Sequence, residues 1–148
     1  MLIGKFRNSV DSKNRIFIPH KFRGDLGAKC ILSKDLLDNC LNLYSSSQWE
    51  MFTKKIEELP TIKMKRMRQF VYSNSCEVEI DSQGRIVLNE KFCEDAGVDL
   101  LKEKEVMIIG INTYAQIWNI SEWLEFDKKL KAGDDKETMI NDLMDIGF

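Results

Sequence analysis

The chain has 148 residues, of which 43% are hydrophobic and 31% are charged, and its formal net charge is −2 at pH 7. This length suits one compact domain or two small interlocked units, and the apolar content is sufficient for a core. The longest uninterrupted apolar run, at 106–109, is far too short to span a bilayer, and the first residues do not resemble a signal peptide. We therefore expect a cytoplasmic protein with no membrane partner.

The first predicted elements surround a short polar turn. Residues 10–18 read Val-Asp-Ser-Lys-Asn-Arg-Ile-Phe-Ile, so that Asp11 and Arg15 bracket the turn. Asn14 is a residue type that tolerates the left-handed backbone that tight hairpins require. The β-favouring residues after the turn predict a strand, which Pro19 ends.

Two short strands and two helices are predicted to follow this turn. The strands are expected over 30–32 and 41–44, where apolar residues cluster. Ser47 and Glu50 then form a capping-box pattern ahead of a helix whose apolar residues recur at spacings of three and four. A second helix, rich in cations, is predicted over 62–71.

The polar turn occurs a second time, 70 residues later in the chain. Residues 80–88 read Ile-Asp-Ser-Gln-Gly-Arg-Ile-Val-Leu, so that Asp81 and Arg85 match Asp11 and Arg15. Both units then share one predicted order: strand, tight turn, strand, short helix, two strands and a longer helix. Neither unit alone offers enough core residues, so we expect the two to share one core through a pseudo-twofold axis.

The charges are distributed unevenly along the chain. Residues 1–29 carry a net charge of +5 and residues 61–72 carry +4, whereas residues 121–148 carry −4. Such asymmetry is typical of a chain that binds a polyanion, although a set of unrelated solvated faces would give the same count. The acidic end is predicted either to pack loosely or to bind a partner.

The residues that carry metal or acid–base chemistry are few. The four cysteines, Cys30, Cys40, Cys76 and Cys93, lack the spacing of a zinc site, and His20 is the single histidine. No phosphate-binding glycine loop or nucleophile elbow is present. We expect reduced thiols, no metal, no cofactor, no small-molecule ligand and no catalytic residue, and therefore a protein that is not an enzyme.

The repeated Asp and Arg have two interpretations. In the first, the pair only holds the turn closed, which at an exposed site contributes roughly 0–1 kcal/mol. In the second, the arginine also contacts a phosphate or a guanine, for which its planar fork is suited, and the hairpin enters a DNA major groove. The occurrence of two such turns favours the second interpretation.

The stretch from Met1 to about Leu130 resembles the MraZ family of the AbrB-like (SpoVT-AbrB) superfamily. The resemblance lies in the two turn motifs and in these further features: Ile18-Pro19, Lys21-Phe22, and Ile117-Trp118 followed by Trp123. It implies a β-rich α+β fold, namely an AbrB-like swapped-hairpin β-barrel built from two internal repeats related by a pseudo-twofold axis, with flanking helices. It also implies a nucleoid-associated regulator that forms ring-like homo-oligomers. Such a regulator binds repeated sites on double-stranded DNA upstream of the division and cell-wall genes, including its own promoter.

The resemblance maps the DNA-contacting motif of the family onto residues 11–15 and 81–85, and the basic residues near the first motif in sequence are expected to contact the DNA backbone. The expected DNA-binding residues are Arg15, Lys13, Asn14, Arg7, Lys5, Lys21, Arg23, Arg85 and Gln83. The expected turn-forming residues are Asp11, Asp81 and Gly84. Because acidic residues surround the second turn in sequence, we expect the first turn to carry most of the DNA binding and the second to be more structural.

The expected organisation is a first repeat at 1–60, a basic connecting helix at 61–75, a second repeat at 76–130 and an acidic tail at 131–148. Three alternatives to a DNA-binding regulator remain at this point. The first is a promoter-binding, antitoxin-like protein that neutralises a protein partner, although antitoxins of this superfamily typically have one motif and a longer disordered extension. The others are an enzyme and a ring protein that binds only proteins.

Overall fold

The computed structural model describes residues 1–147 of the chain. They form a mixed α+β fold, rich in β-structure, in which helices flank the sheets. The first half contains β1 (Lys5–Ser9), β2 (Arg15–Phe17), α1 (His20–Leu26), β3 (Lys29–Lys34), β4 (Leu41–Ser45), α2 (Ser46–Glu57) and α3 (Thr61–Ser73). The second half contains β5 (Ser75–Glu79), β6 (Arg85–Val87), α4 (Glu90–Asp95), β7 (Glu105–Gly110), β8 (Ala115–Asn119), α5 (Ile120–Leu130) and α6 (Gly133–Asp145). The two halves therefore have the same order of elements.

The larger sheet has six strands in the order β1-β7-β8-β4-β3-β5, and neighbouring strands are antiparallel. The first strand of each half pairs within the other half, because β1 lies beside β7 and β5 lies beside β3. The order of the sheet is unchanged when the two halves are exchanged. Over residues 1–147 the sheet ends at β1 and at β5, so the closed barrel that the resemblance implied is not observed.

A separate two-stranded ribbon joins the two polar turns. β2 and β6 pair antiparallel, with Ile16 opposite Ile86. The ribbon is extended at both ends by reciprocal hydrogen bonds: the Ile18 N–H donates to the Gly84 carbonyl at 2.8 Å, and the Leu88 N–H donates to the Asn14 carbonyl at 2.7 Å. The two turns therefore lie at the two ends of one ribbon.

The core is shared by both halves. Ile16, Ile18, Ile86 and Leu88 face inward from the ribbon and are almost completely buried among side chains of the larger sheet and the short helices. Burying an aliphatic side chain of this size stabilises the fold by about 1.5–3 kcal/mol. Because side chains alternate along a strand, burial of these four residues places the residues between them on the outward face of the ribbon.

The longer helices begin earlier than their sequence patterns predicted. The cap of α2 is Ser45, whose hydroxyl accepts from the Gln48 N–H at 3.2 Å, so the predicted Ser47–Glu50 capping box is wrong. α5 begins directly after β8, where the Asn119 side chain accepts from the Asp99 N–H instead of capping the helix. In both halves the helix begins directly at the end of a buried strand.

The acidic end of the chain contains a helix. α6 occupies Gly133–Asp145 and packs on α5. α3 follows α2 in the first half as α6 follows α5 in the second. The helices α3 and α6 have 13 residues each, and no helix within 1–147 combines the length and apolarity needed to cross a membrane.

Candidate nucleic-acid interface

The first turn is closed by the Asp11 carboxylate. Its Oδ1 accepts hydrogen bonds from the backbone N–H groups of Lys13 and Arg15, both at 2.9 Å. Its Oδ2 accepts from Arg15 Nε at 2.8 Å. The backbone of Asn14 has a φ of 56°, in the left-handed region that this residue type tolerates. One carboxylate therefore shapes the turn and aims the guanidinium of Arg15.

The second turn has the same set of hydrogen bonds. Asp81 Oδ1 accepts from the N–H groups of Gln83 and Arg85 at 2.9 and 3.0 Å, and Oδ2 accepts from Arg85 Nε at 2.9 Å. Gly84 has a φ of 84° at the position of Asn14. The Asp-to-Arg spacing is thus a geometric requirement of the turn in both halves.

Both carboxylates are more acidic than usual. The hydrogen bond from the Arg15 backbone N–H is the main reason that the pKa of Asp11 is lowered to about 2, with further contributions from the Arg15 side chain and the Lys13 amide. The pKa of Asp81 is lowered by the equivalent bonds, of which that from the Arg85 amide is the largest cause. Both aspartates are therefore charged at neutral pH and hold their arginines in place.

The ribbon presents four side chains on its outward face. Arg15 lies opposite Val87, and Arg85 lies opposite Phe17. Phe17 and Val87, the last residues of their paired strands, are 51% and 58% exposed, which is high for large apolar side chains. The two arginines occupy one diagonal of this face, at about 7–8 Å between backbone positions, and the two apolar residues occupy the other. We refer to Arg15, Phe17, Arg85 and Val87 as the ribbon face.

Each guanidinium on the ribbon face is only partly engaged. The side chains of Arg15 and Arg85 are 27% and 19% exposed. Within residues 1–147 Nε is the only side-chain nitrogen of either arginine that donates a hydrogen bond, and its acceptor is the aspartate of the same turn. The terminal nitrogens of both arginines are therefore available for a bidentate contact with an external acceptor.

The surroundings of the two turns differ. The guanidinium of Arg85 lies over the ring of Phe17, 5.9 Å from its centroid, whereas Arg15 lies beside the aliphatic Val87. Arg23 reaches from α1 to the second turn, where its Nε donates to the Ile18 carbonyl at 2.9 Å. Its guanidinium packs so closely on Gly84 that a Cβ at that position would overlap it.

The other predicted site residues lie on β1, in the first turn and on α1. Lys5 and Arg7 are exposed on β1, which leads into that turn, and Arg7 forms an ion pair with Glu105 on β7. Lys13 is exposed within the turn, and Lys21 is exposed on α1. The structure thus brings Arg15 and Arg85 onto one face, places Arg23 against the second turn, and leaves the lysines at separate exposed positions.

The strand that leads into the second turn has the opposite charge. β5 carries Glu77 and Glu79, both exposed, at the positions that Arg7 and Ser9 occupy in β1. Gln83 is exposed in the second turn, where its backbone N–H supports Asp81. Arg23 adds a positive charge beside this turn that the order of the sequence did not indicate.

Sequence reasoning missed the apolar members of the ribbon face. Phe17 and Val87 each follow an arginine by two residues, and this alternation places them on the same side of the strand. The period of two was therefore a signal for their exposure. Among residues 1–147 no group of three or more histidine, cysteine, aspartate or glutamate side chains is arranged to hold a metal ion.

Comparisons with known proteins give a consistent result. A family model described as "MraZ protein, putative antitoxin-like" matches residues 1–70 and, a second time, residues 71–143. A protein from Caldicellulosiruptor bescii named Transcriptional regulator MraZ is 43% identical over 84% of this chain and 85% of its own length. Proteins of the same name from Syntrophomonas wolfei and Acetivibrio thermocellus are 35% and 40% identical, over 100% and 94% of this chain and 100% and 96% of their own lengths.

Proposed function

The chain belongs to the MraZ family, and from that premise we propose that it is a transcriptional regulator that binds specific sequences of double-stranded DNA through the ribbon face. The names of its relatives support regulation of transcription as the general role. The residues that contact DNA, the target sites and the assembled state are the further content of the proposal.

The observation that carries the proposal is the diagonal pair of arginines on one exposed ribbon. A two-stranded β-ribbon fits the major groove, which is about 12 Å wide. Arg15 and Arg85 have free terminal nitrogens, and a guanidinium binds guanine or phosphate in a bidentate manner. Because Asp11 and Asp81 fix both side chains, little conformational entropy is lost when they bind.

The first turn contributes more of the binding than the second in this proposal. Lys5 and Lys13, which are exposed on β1 and in the turn itself, contact the DNA backbone, and Asn14 contributes through the turn that it completes. Lys21, exposed on α1, makes a further contact of this kind. Arg7 and Arg23 already have partners within the protein, so their contribution is smaller. In the second turn Arg85 and Gln83 make the contacts, against the repulsion of the nearby glutamates.

The two halves act as internal repeats related by a pseudo-twofold axis, with their hairpins exchanged. Two observations support this description. The strand order is unchanged when the halves are exchanged, and the family model matches the chain twice. We propose boundaries at 1–60 and 76–130 for the repeats, with 61–75 as a connecting helix and 131–148 as an acidic extension.

The protein acts as a ring-like homo-oligomer on repeated sites upstream of the division and cell-wall genes, including its own promoter. One ribbon face is small, so a single contact binds weakly. Several faces on adjacent subunits that meet regularly spaced sites gain affinity through a high effective concentration. A protein bound in this way is found with the nucleoid.

The test is a binding titration with the DNA upstream of the gene for this chain. Purified protein is titrated against the native array, against one isolated site and against a scrambled sequence of equal composition, all at physiological salt. The proposal predicts tight binding to the array, weak binding to one site and the weakest binding to the scrambled DNA. Equal affinity for native and scrambled DNA would contradict it.

An antitoxin-like role is the second candidate, since the family description contains that word and α6 is exposed along its whole length. In this role the ribbon face binds a promoter while the acidic end neutralises a protein partner. Deletion of 131–148 separates the two functions. If the protein is antitoxin-like, the deletion abolishes neutralisation of the protein partner. Under either function, the deletion leaves binding to one isolated DNA site unchanged.

A further inference from the structure

Within residues 1–147 the apolar side of the helix α6 is largely exposed. None of its residues is buried, although Met139, Ile140, Leu143 and Met144 lie along one face at helical spacing. Their exposed fractions range from 41% to 66%. An isolated protein rarely exposes so regular a stripe, and such a stripe rimmed by polar residues is typical of an interaction surface.

The acidic residues of α6 surround this stripe. The helix carries Asp134, Asp135, Glu137, Asp142 and Asp145 against one lysine, so its net charge is −4. Within residues 1–147 none of these five acids forms an ion pair. The surface that would cover α6 must therefore offer both apolar contact and several positive charges.

The helix α3 has the complementary charge. It follows α2 as α6 follows α5, and it carries Lys63, Lys65, Arg66 and Arg68 with no acid, a net charge of +4. Arg68 is engaged by Glu57, with Nε 3.0 Å from Oε1, whereas the other three cations are exposed and form no ion pair within residues 1–147. Ile62 at the start of α3 is 73% exposed.

We propose that α3 of one subunit binds α6 of the next, so that copies of this chain assemble head to tail. Contacts between two α3 helices or between two α6 helices would bring like charges together, and only the mixed contact pairs +4 with −4. In the ring of the proposed function this contact is heterologous and continues from copy to copy until the ring closes, whereas a reciprocal contact between two copies would stop at the mass of a dimer. No residue of the ribbon face belongs to α3 or α6, so the assembly leaves that face available.

This inference deepens the proposed function, because it names the surfaces through which the proposed oligomer forms. It is tested without DNA, so the two proposals fail separately. A chain that assembles through these helices but binds no DNA would contradict the proposed function alone.

The experiment reverses the charge of each helix. One variant carries Lys63→Glu, Lys65→Glu and Arg66→Glu, and the other carries Glu137→Lys, Asp142→Lys and Asp145→Lys. A control reverses three exposed lysines elsewhere, with Lys54→Glu, Lys55→Glu and Lys102→Glu. The mass of each protein is measured by light scattering at low and high salt, and circular dichroism checks its fold.

The wild type and the control are expected to assemble, and each helix variant is expected to fall to the mass of one chain. An equimolar mixture of the two helix variants, in which every contact again joins opposite charges, is expected to regain the assembled mass, as is a chain that carries all six changes. A monomeric wild type, variants that assemble as the wild type does, or a mixture that stays monomeric would each overturn the proposal.

Discussion

The two polar turns share one geometry and differ in what surrounds them. In each turn an aspartate accepts two backbone hydrogen bonds and holds the Nε of an arginine. The strand that leads into the first turn carries Lys5 and Arg7, whereas the strand that leads into the second carries Glu77 and Glu79. Five residues are thus enough to build the turn, while the charge around it is set by neighbours outside it.

The two arginines also differ in their freedom. Arg85 lies over the Phe17 ring and is the less exposed of the two, and Arg23 is packed on the backbone of the same turn. Arg15 lies opposite the aliphatic Val87 instead of an aromatic ring. The second turn is therefore the more strongly supported by the protein, and the first is the more available to a ligand.

The largest expected effect concerns the two arginines. Arg15→Ala is expected to weaken binding to a specific DNA site by about 1–3 kcal/mol per subunit, because a bidentate contact is lost. Arg85→Ala is expected to cost less, since its turn lies among glutamates. Arg15→Lys is the matched control, because it keeps the charge but removes the planar fork. Gel-shift titration measures all three, and equal losses for the two alanine variants would remove the distinction between the turns.

The next effect concerns stability. Gly84→Ala is expected to destabilise the fold by about 1–2 kcal/mol through its left-handed backbone, and by more through displacement of Arg23. Asn14→Ala at the equivalent position is expected to cost about 1 kcal/mol or less, since no glycine was needed there. Gly24→Ala in α1, where a Cβ meets no atom within 4 Å, serves as the control and is expected to stabilise slightly. Urea unfolding measures the three, and the reverse order would show that the first turn is the better supported.

A smaller effect is expected in the salt dependence of binding. Lys13→Ala is expected to lower the slope of log affinity against log salt by about one per phosphate contact, with a similar loss for every DNA sequence. Gln83→Ala, at the same position of the second turn, is expected to leave the slope unchanged because glutamine is neutral. Titrations at four or more salt concentrations measure both slopes. A change of slope for both variants, or for neither, would contradict the assignment of backbone contacts to the first turn.

The smallest effect at neutral pH concerns the acidity of Asp11. Its pKa is lowered from 3.8 to about 2 in the folded protein, so its contribution to stability is complete above pH 3.8 and is lost as the pH falls towards 2. Asp11→Asn is therefore expected to be less stable than the wild type at pH 7 and to approach it near pH 2. Carbon NMR of the carboxyl groups measures the titration directly. An ordinary pKa for Asp11 would show that the turn is not held as described.

The local geometry of the site was predictable from sequence, and its assembly was not. The Asp-to-Arg spacing and the residue types at Asn14 and Gly84 are local features, and they indicated two tight turns correctly. The pairing of β2 with β6 joins residues 70 positions apart, and no local pattern specifies such a partner. The contact of Arg23 with Gly84 depends on that pairing, so the sequence did not predict it either.

Helix boundaries were missed for a related reason. Ser45, Ser46 and Ser47 offer three consecutive hydroxyls, and the end of β4 selects the first of them as the cap. At the start of α5 the side chain of Asn119 bonds to Asp99 instead of the helix. In both places the surrounding fold determines at which of several possible residues the helix begins.

The central claim is that the ribbon face contacts DNA, and methyl NMR of the valines tests it most directly. Val87 lies on that face beside Arg15, whereas Val98 is fully buried in the core and serves as the internal control. On addition of the native DNA array, the account predicts large shifts or broadening of the Val87 methyl signals and little change at Val98. Unchanged Val87 signals in a sample in which the DNA is bound would contradict the account.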